Sequence, residues 1–163
     1  MQSPNMAEKT PRIDETYAYS APPPLGTPEH ADWLVHWHFK FENPQQLDML
    51  GELYTHDIVW ELPSAGIEFH GKRDVIQNYR QTFAVLDLTT FEFRPIDRYA
   101  TATRVFDDRE AIFTVTDLGS FPMPGLNIKE GEPVRMRLTH SFHITDGLIS
   151  RENVYQIIGP ARR

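Results

Sequence analysis

His140 is the side chain in this sequence best placed to move a proton. It stands in an unbroken alternation, with Val134, Met136, Leu138, His140, Phe142 and Ile144 on one side and Arg135, Arg137, Thr139, Ser141, His143 and Thr145 on the other. A period of two marks a strand with one buried face. An unperturbed imidazole titrates at about 6.5, so it can give or take a proton near neutral pH. On an apolar face each of its nitrogens needs a hydrogen-bond partner, and a satisfied core histidine leaves the same signature. His38 carries the same ambiguity among Trp33, Leu34, Trp37 and Phe41, which recur at helical spacing. Glu152 is the third acid–base candidate. It lies between Arg151 and Tyr155 on a segment of weak alternation, where a solvated surface carboxylate is the simpler reading.

Other chemistries find no support. The chain has no cysteine, which removes disulfides, thiolate nucleophiles and cysteine zinc sites. Seven histidines invite a metal, but His36 and His38 lie about 200° apart on a helix, and a helical ligand pair needs i, i+4 spacing. His140 and His143 point to opposite faces of one strand. No metal is expected. Glycine-rich phosphate loops and a Gly-x-Ser-x-Gly elbow are missing too, so no cofactor is expected. A net charge of −7, with no run of lysine or arginine, argues against nucleic acid and anionic membrane as partners. No apolar run approaches the span of a bilayer, and the first residues lack the pattern of a signal peptide, so the expected compartment is the cytoplasm.

The elements that must carry these residues follow from pattern. Residues 1–26 hold five of the thirteen prolines and no periodicity, which predicts an extended N-terminal arm that Tyr17 and Tyr19 could pin down. Thr27-Pro28-Glu29 opens a first helix as cap, proline and first-turn acid. Asn43-Pro44-Gln45-Gln46 repeats that signal for a short second helix striped by Leu47, Leu50, Leu53 and Tyr54. Short strands are predicted at 58–62 and 67–70, then a third helix from about Gly71 carrying Val75, Ile76, Tyr79, Phe83 and Leu86. Strands are expected over about 91–106 and 110–121. The last two form a long hairpin from Val134 to Ile157, turning on Asp146-Gly147, a pair that tolerates positive φ. One domain over residues 27–158 is predicted, with 159–163 as a tail. Helices first and an antiparallel sheet last make it α+β, with a closed-end pocket between the layers.

Tyr54-Thr55-His56-Asp57-Ile58-Val59-Trp60-Glu61-Leu62-Pro63, Phe69-His70-Gly71, Gly119-Ser120-Phe121-Pro122 and Asp146-Gly147-Leu148-Ile149 together resemble the SnoaL-like branch of the nuclear-transport-factor-2-like superfamily. The resemblance covers roughly residues 28–158 and is specific for fold, weak for function. It implies a cone-shaped barrel of about three helices on a strongly curved, mostly antiparallel sheet. Its members include polyketide cyclases, ketosteroid isomerases, dehydratases, epoxide hydrolases, lyases of lignin-derived aromatics, phenazine-pathway proteins and domains that only bind. On the ketosteroid isomerase pattern the general-base aspartate falls on Leu62, which cannot accept a proton, so the resemblance argues against steroid isomerisation by that route. The oxyanion-hole acid falls on His140 and the tyrosine donor at or beside His38. The late-strand glutamate of the phenazine-pathway members falls on Val154, with Glu152 two residues earlier on the same face, about 6–7 Å away. Asp57 matches a family position at a helix-to-strand junction, where it can equally cap local backbone.

Two readings remain open. The first is a cofactor-independent enzyme, with His140 as principal acid–base residue assisted by His38 or Glu152, acting on a small hydrophobic aromatic or polyketide-like substrate as lyase, dehydratase, isomerase or cyclase. Tyr54, Trp60, Tyr79, Phe83 and Phe113 singly read as core, but together with Trp33, Trp37, Asp57, Leu138 and Phe142 they are the expected substrate-binding residues, since aromatic walls with a few polar groups suit a flat apolar ligand. The second is a non-catalytic binding module, which a pocket filled by Trp33, Trp37 and Trp60 would favour. A homodimer through the outer sheet face, carrying Thr139, Ser141, His143 and Tyr155, is expected in either case.

Overall fold

The computed structural model describes residues 21–122 and 127–160, and side chains as far as Ile157. Helix α1 spans Pro28–Phe41, with Thr27 as its cap: Thr27 Oγ1 accepts from the His30 backbone N–H at 3.2 Å and donates to the Pro24 carbonyl. The two ring nitrogens of His30 face the carbonyls of Pro23 and Gly147, tying the chain before the helix to the last hairpin turn. Tyr17 and Tyr19 of the expected arm lie outside the described residues.

Helix α2 covers only Leu47–Glu52. Asn43 does not cap it. Its side chain instead accepts from the Gln45 backbone and donates to Gln46 Oε1, holding a turn ahead of the helix, which starts after Gln46 without a side-chain cap. Tyr54 is not part of that helical stripe either. It begins strand β1, Tyr54–Leu62, four residues earlier than expected, and a short 3₁₀ turn at Pro63–Ala65 leads to β2, Ile67–His70. Helix α3 is Lys72–Ala84 and buries Val75, Asn78, Tyr79 and Phe83.

The sheet continues with β3 (Glu92–Ala100), β4 (Arg104–Thr114), β5 (Pro133–Thr145) and β6 (Leu148–Pro160). The β3–β4 turn therefore falls at about residues 101–103, earlier than the expected break near 107–109, and β4 ends before the expected 121. β6 runs past the expected domain boundary at 158 as far as Pro160, paired with Val134. The strand order is β2-β1-β6-β5-β4-β3, and only the β1–β6 pair is parallel. The sheet is open at both edges rather than closed into a barrel. One-residue register shifts in the β3–β4 and β5–β6 pairs mark bulges, which bend strands, and the β1–β6 pairing is interrupted between Tyr54 and Val59.

The expected parity of β5 holds: Val134, Leu138, His140, Phe142 and Ile144 are buried and Met136 partly so. One apolar cluster, including Leu34, Val35, Tyr54, Ile58, Val75 and Phe142, joins the helices to this face. A second, including Leu62, Phe113, Leu138 and Val154, fills the other end of the sheet.

Candidate active site

Glu152 is fully buried, although its strand alternates weakly. Register explains this. Glu152 pairs with Phe142 of β5 and with Trp60 of β1, and directly opposed residues share a face, so Glu152 must point with Phe142 toward the helices. Its carboxyl group is met there by two hydroxyls: Tyr79 Oη donates to Oε1 at 2.8 Å and Tyr54 Oη to Oε2 at 3.0 Å. His38, wholly buried on α1, places Nδ1 3.2 Å from the Tyr54 hydroxyl and Nε2 3.6 Å from Glu152 Oε1. Phe142, Phe39, Tyr54 and Tyr79 surround its ring.

Burial sets the charge states. It holds His38 down to about 4, against the opposing pull of Glu152, so the imidazole is neutral at pH 7. It raises Glu152 above the ordinary carboxylate range, and a charge on Glu42 adds to the rise, while His38 and the two tyrosine hydroxyls pull the other way. Tyr54 and Tyr79 are pushed well above 10 by burial and by the Glu152 charge, so both keep their protons and act as hydrogen-bond donors.

His140 is nearly buried, lies parallel to Phe142 and meets the edge of Phe39, and its Nδ1 has no hydrogen-bond partner. Desolvation and then Arg109 press it down to about 3, with Asp107 opposing. The expected value near 6.5 is therefore replaced by an imidazole that stays neutral throughout the neutral range. Beside it, Arg98 and Arg109 both donate to the fully buried Asp107, and Arg109 lies over the ring of Phe39. Desolvation opposes ionisation of Asp107, but the two guanidinium groups outweigh it and hold its carboxyl below the usual range.

A cavity of about 750 Å³, counting its mouth, lies between α3 and the sheet. Of the residues expected at the site, it is lined by His140, Glu152, Trp60, Tyr79, Phe83, Phe113 and Leu138. His38, Tyr54 and Phe142 lie behind this wall and reach it through Glu152 and His140. Trp33 and Trp37 stay on α1, where Trp33 stacks on His30 and Trp37 on Phe41. Asp57 is exposed within β1, away from the cavity. Glu42 and Asn78 line the cavity and were not singled out from sequence. A local signal existed for Glu42, which stands four residues after His38 and so on the same helical face. None existed for Asn78, whose burial depends on how α3 docks.

No curated protein sequence matches this chain. Solved structures do match in fold. A candidate SnoaL-like polyketide cyclase from Shewanella putrefaciens superposes with a TM-score of 0.63 at 13% identity, covering 79% of this chain and 90% of that one. A candidate ketosteroid isomerase from Kribbella flavida gives 0.60 at 15% identity, covering 85% of both chains. An LEH-like epoxide hydrolase from M. tuberculosis gives 0.60 at 16% identity, covering 78% of this chain and 83% of that one. At such identities the likeness is one of fold. The family model of the SnoaL-like domain matches residues 35–152, a span that runs from α1 through Glu152. The chain belongs to the SnoaL-like domain family.

Proposed function

We propose that this protein is a cofactor-independent acid–base enzyme that shifts a proton on a small, flat hydrophobic substrate of aromatic or polyketide-like type, acting as a lyase, dehydratase, isomerase or cyclase. A lignin-derived aromatic fits that description. The observation that carries the reading is Glu152: a fully buried carboxyl group, held by two tyrosine hydroxyls, opening onto a cavity walled by aromatic side chains. Burying an ionisable group is costly, and a core needs none, so its presence at the wall of an aromatic-lined cavity supports chemistry over packing. His140 adds a neutral imidazole to the same wall, suited to hydrogen-bonding a substrate oxygen.

The folds it superposes on carry isomerase, cyclase and epoxide hydrolase names, which agrees with proton-transfer chemistry without selecting among the reactions. The binding-module alternative would be favoured by tryptophans filling the pocket, and of Trp33, Trp37 and Trp60 only Trp60 lines it. We also propose a homodimer through the outer face of the sheet. There Tyr99, Phe106, Tyr155 and Ile157 are exposed beside Arg135 and Arg137, which pair with Glu110 and Asp108.

The test is a thermal-shift screen of flat aromatic and polyketide-like compounds, followed by turnover of each hit by wild type and Glu152→Gln. Loss of turnover with retained binding and fold is the expected result. Hits that bind but are turned over by neither protein would leave a binding module.

A further inference from the structure

Glu42 reaches the cavity from the C-cap of α1, and its Oε2 is buried without a hydrogen-bond partner. One helical turn back, His38 Nε2 is also buried and unpartnered, 3.5 Å from Glu42 Oε2 and 3.6 Å from Glu152 Oε1. One nitrogen thus faces two carboxyl groups. The other side of the imidazole decides what that nitrogen carries. Tyr54 gives its proton to Glu152, so its oxygen is left to accept, and the His38 Nδ1 facing it must be the N–H. A neutral imidazole then presents a bare lone pair at Nε2. Two ionised carboxylates around that lone pair would gather three acceptors with no hydrogen among them. One proton on one carboxyl removes the conflict. Glu152 accepts from two hydroxyls, which favours its charged form, whereas Glu42 Oε2 accepts from none.

We infer that Glu42 is the proton donor of this site, held as a neutral carboxylic acid, and that His38 Nε2 carries protons back to it from Glu152. The inference rests on the acid–base reading above and supplies its second half. In one turnover the Glu152 carboxylate takes a proton from a substrate carbon, and Glu42 gives its proton to the oxygen that gains charge or departs. In a dehydration the C–H electron pair becomes the new double bond, the C–O bond breaks and water leaves. Glu152 is then protonated and Glu42 ionised. His38 Nε2 accepts the proton from Glu152 Oε1 and passes it to Glu42 Oε2, restoring the resting state with no net proton gained or lost. That balance suits an isomerisation or the loss of water from a hydroxylated substrate.

Burial raises both carboxyl groups, and the two tyrosine hydroxyls draw only Glu152 back down. Burial lifts Glu42 to about 8, with Arg109 of β4 drawing it down and Asp107 drawing it up. A pair of carboxyl groups that share one site keeps a proton on one of them. The test is a ¹³C-carboxyl and ¹⁵N-imidazole NMR titration of the full chain labelled at glutamate and histidine, with signals assigned through Glu42→Gln, or Glu42→Asp if the first variant does not fold. Glu42 should titrate with a midpoint near 8. At pH 7 His38 should be neutral, protonated at Nδ1 and bare at Nε2. In Glu152→Gln, where a neighbouring negative charge is gone, the Glu42 midpoint should move down. Ionisation of Glu42 in the usual carboxylate range, or a His38 proton on Nε2, overturns the proposal. These readings use the unliganded protein, so failure of the compound screen counts against the proposed substrate class, and failure here counts against the proton arrangement alone.

Discussion

At the scale of single residues, burial decides which group does what. His140 had the features of a titrating acid–base residue, yet desolvation and Arg109 keep it at about 3, so its resting imidazole is neutral and, on the proposed reading, is offered to substrate as a hydrogen-bonding group. His140→Gln keeps much of that capacity, and because proton transfer by one positioned side chain contributes about 10²–10⁴-fold, a loss in that range would mark it as a proton carrier. The arrangement here predicts a smaller fall, under about tenfold, with Glu152→Gln losing the full range, both read as kcat on the same substrate. The pH profile follows the same logic. Activity should decline as pH rises through about 8, where Glu42 loses its proton, and Glu42→Gln should lack that alkaline limb. Measuring kcat/KM from pH 5 to 10 for both proteins checks it.

At the scale of elements, two local devices hold the frame. The hairpin between β5 and β6 turns on Asp146 and Gly147, with φ of 51° and 79°. A Cβ on Gly147 would also meet Leu25 Cδ2 at 2.6 Å, whereas Gly131, at a similar φ, has open space around it. Leu25 is exposed and its side-chain end can swing away, so Gly131→Ala and Gly147→Ala should each cost the left-handed backbone penalty of about 1–2 kcal/mol. Urea denaturation of the two variants makes the comparison. Thr27→Ala removes the α1 cap and should cost about 1 kcal/mol by the same measurement.

At the scale of the whole molecule, stability should carry opposing pH dependences. His38 and His140 are lowered to about 4 and 3, so each contributes stability that is present above the unfolded-state value of 6.5 and lost as pH falls toward those values. Glu42 is raised to about 8 from 4.5, so its contribution is present below 4.5 and lost as pH rises through 8. Glu42→Gln should accordingly gain on wild type steadily between pH 4.5 and 8 in denaturation midpoints. The outer sheet face supplies a separate test: sedimentation should give a dimer, and Phe106→Asp, beside exposed Tyr99 in the register, should shift it to monomer without unfolding it.

How much of this was legible in the sequence depends on range. The Thr27-Pro28-Glu29 start of α1, the Asp146-Gly147 turn and the inward parity of β5 are written in residues a few positions apart, and each stands as the pattern implies. The family markers, scattered along the chain, likewise pointed to the right fold. Strand ends near 101–114 were missed because β3 is held by register with β4, and β4 with a distant β5, rather than by their own alternation. Glu152 was the clearest failure of local reading. Half-buried Arg151 and Asn153 flank it, so nothing nearby says that it points inward. Its position comes from pairing with Phe142 and Trp60, and its tolerance of burial from Tyr54 and Tyr79, 98 and 73 residues away. Side-chain types and local spacing determined which groups could move a proton; only the tertiary structure decided their charge, because desolvation and partner hydroxyls are properties of the assembled core.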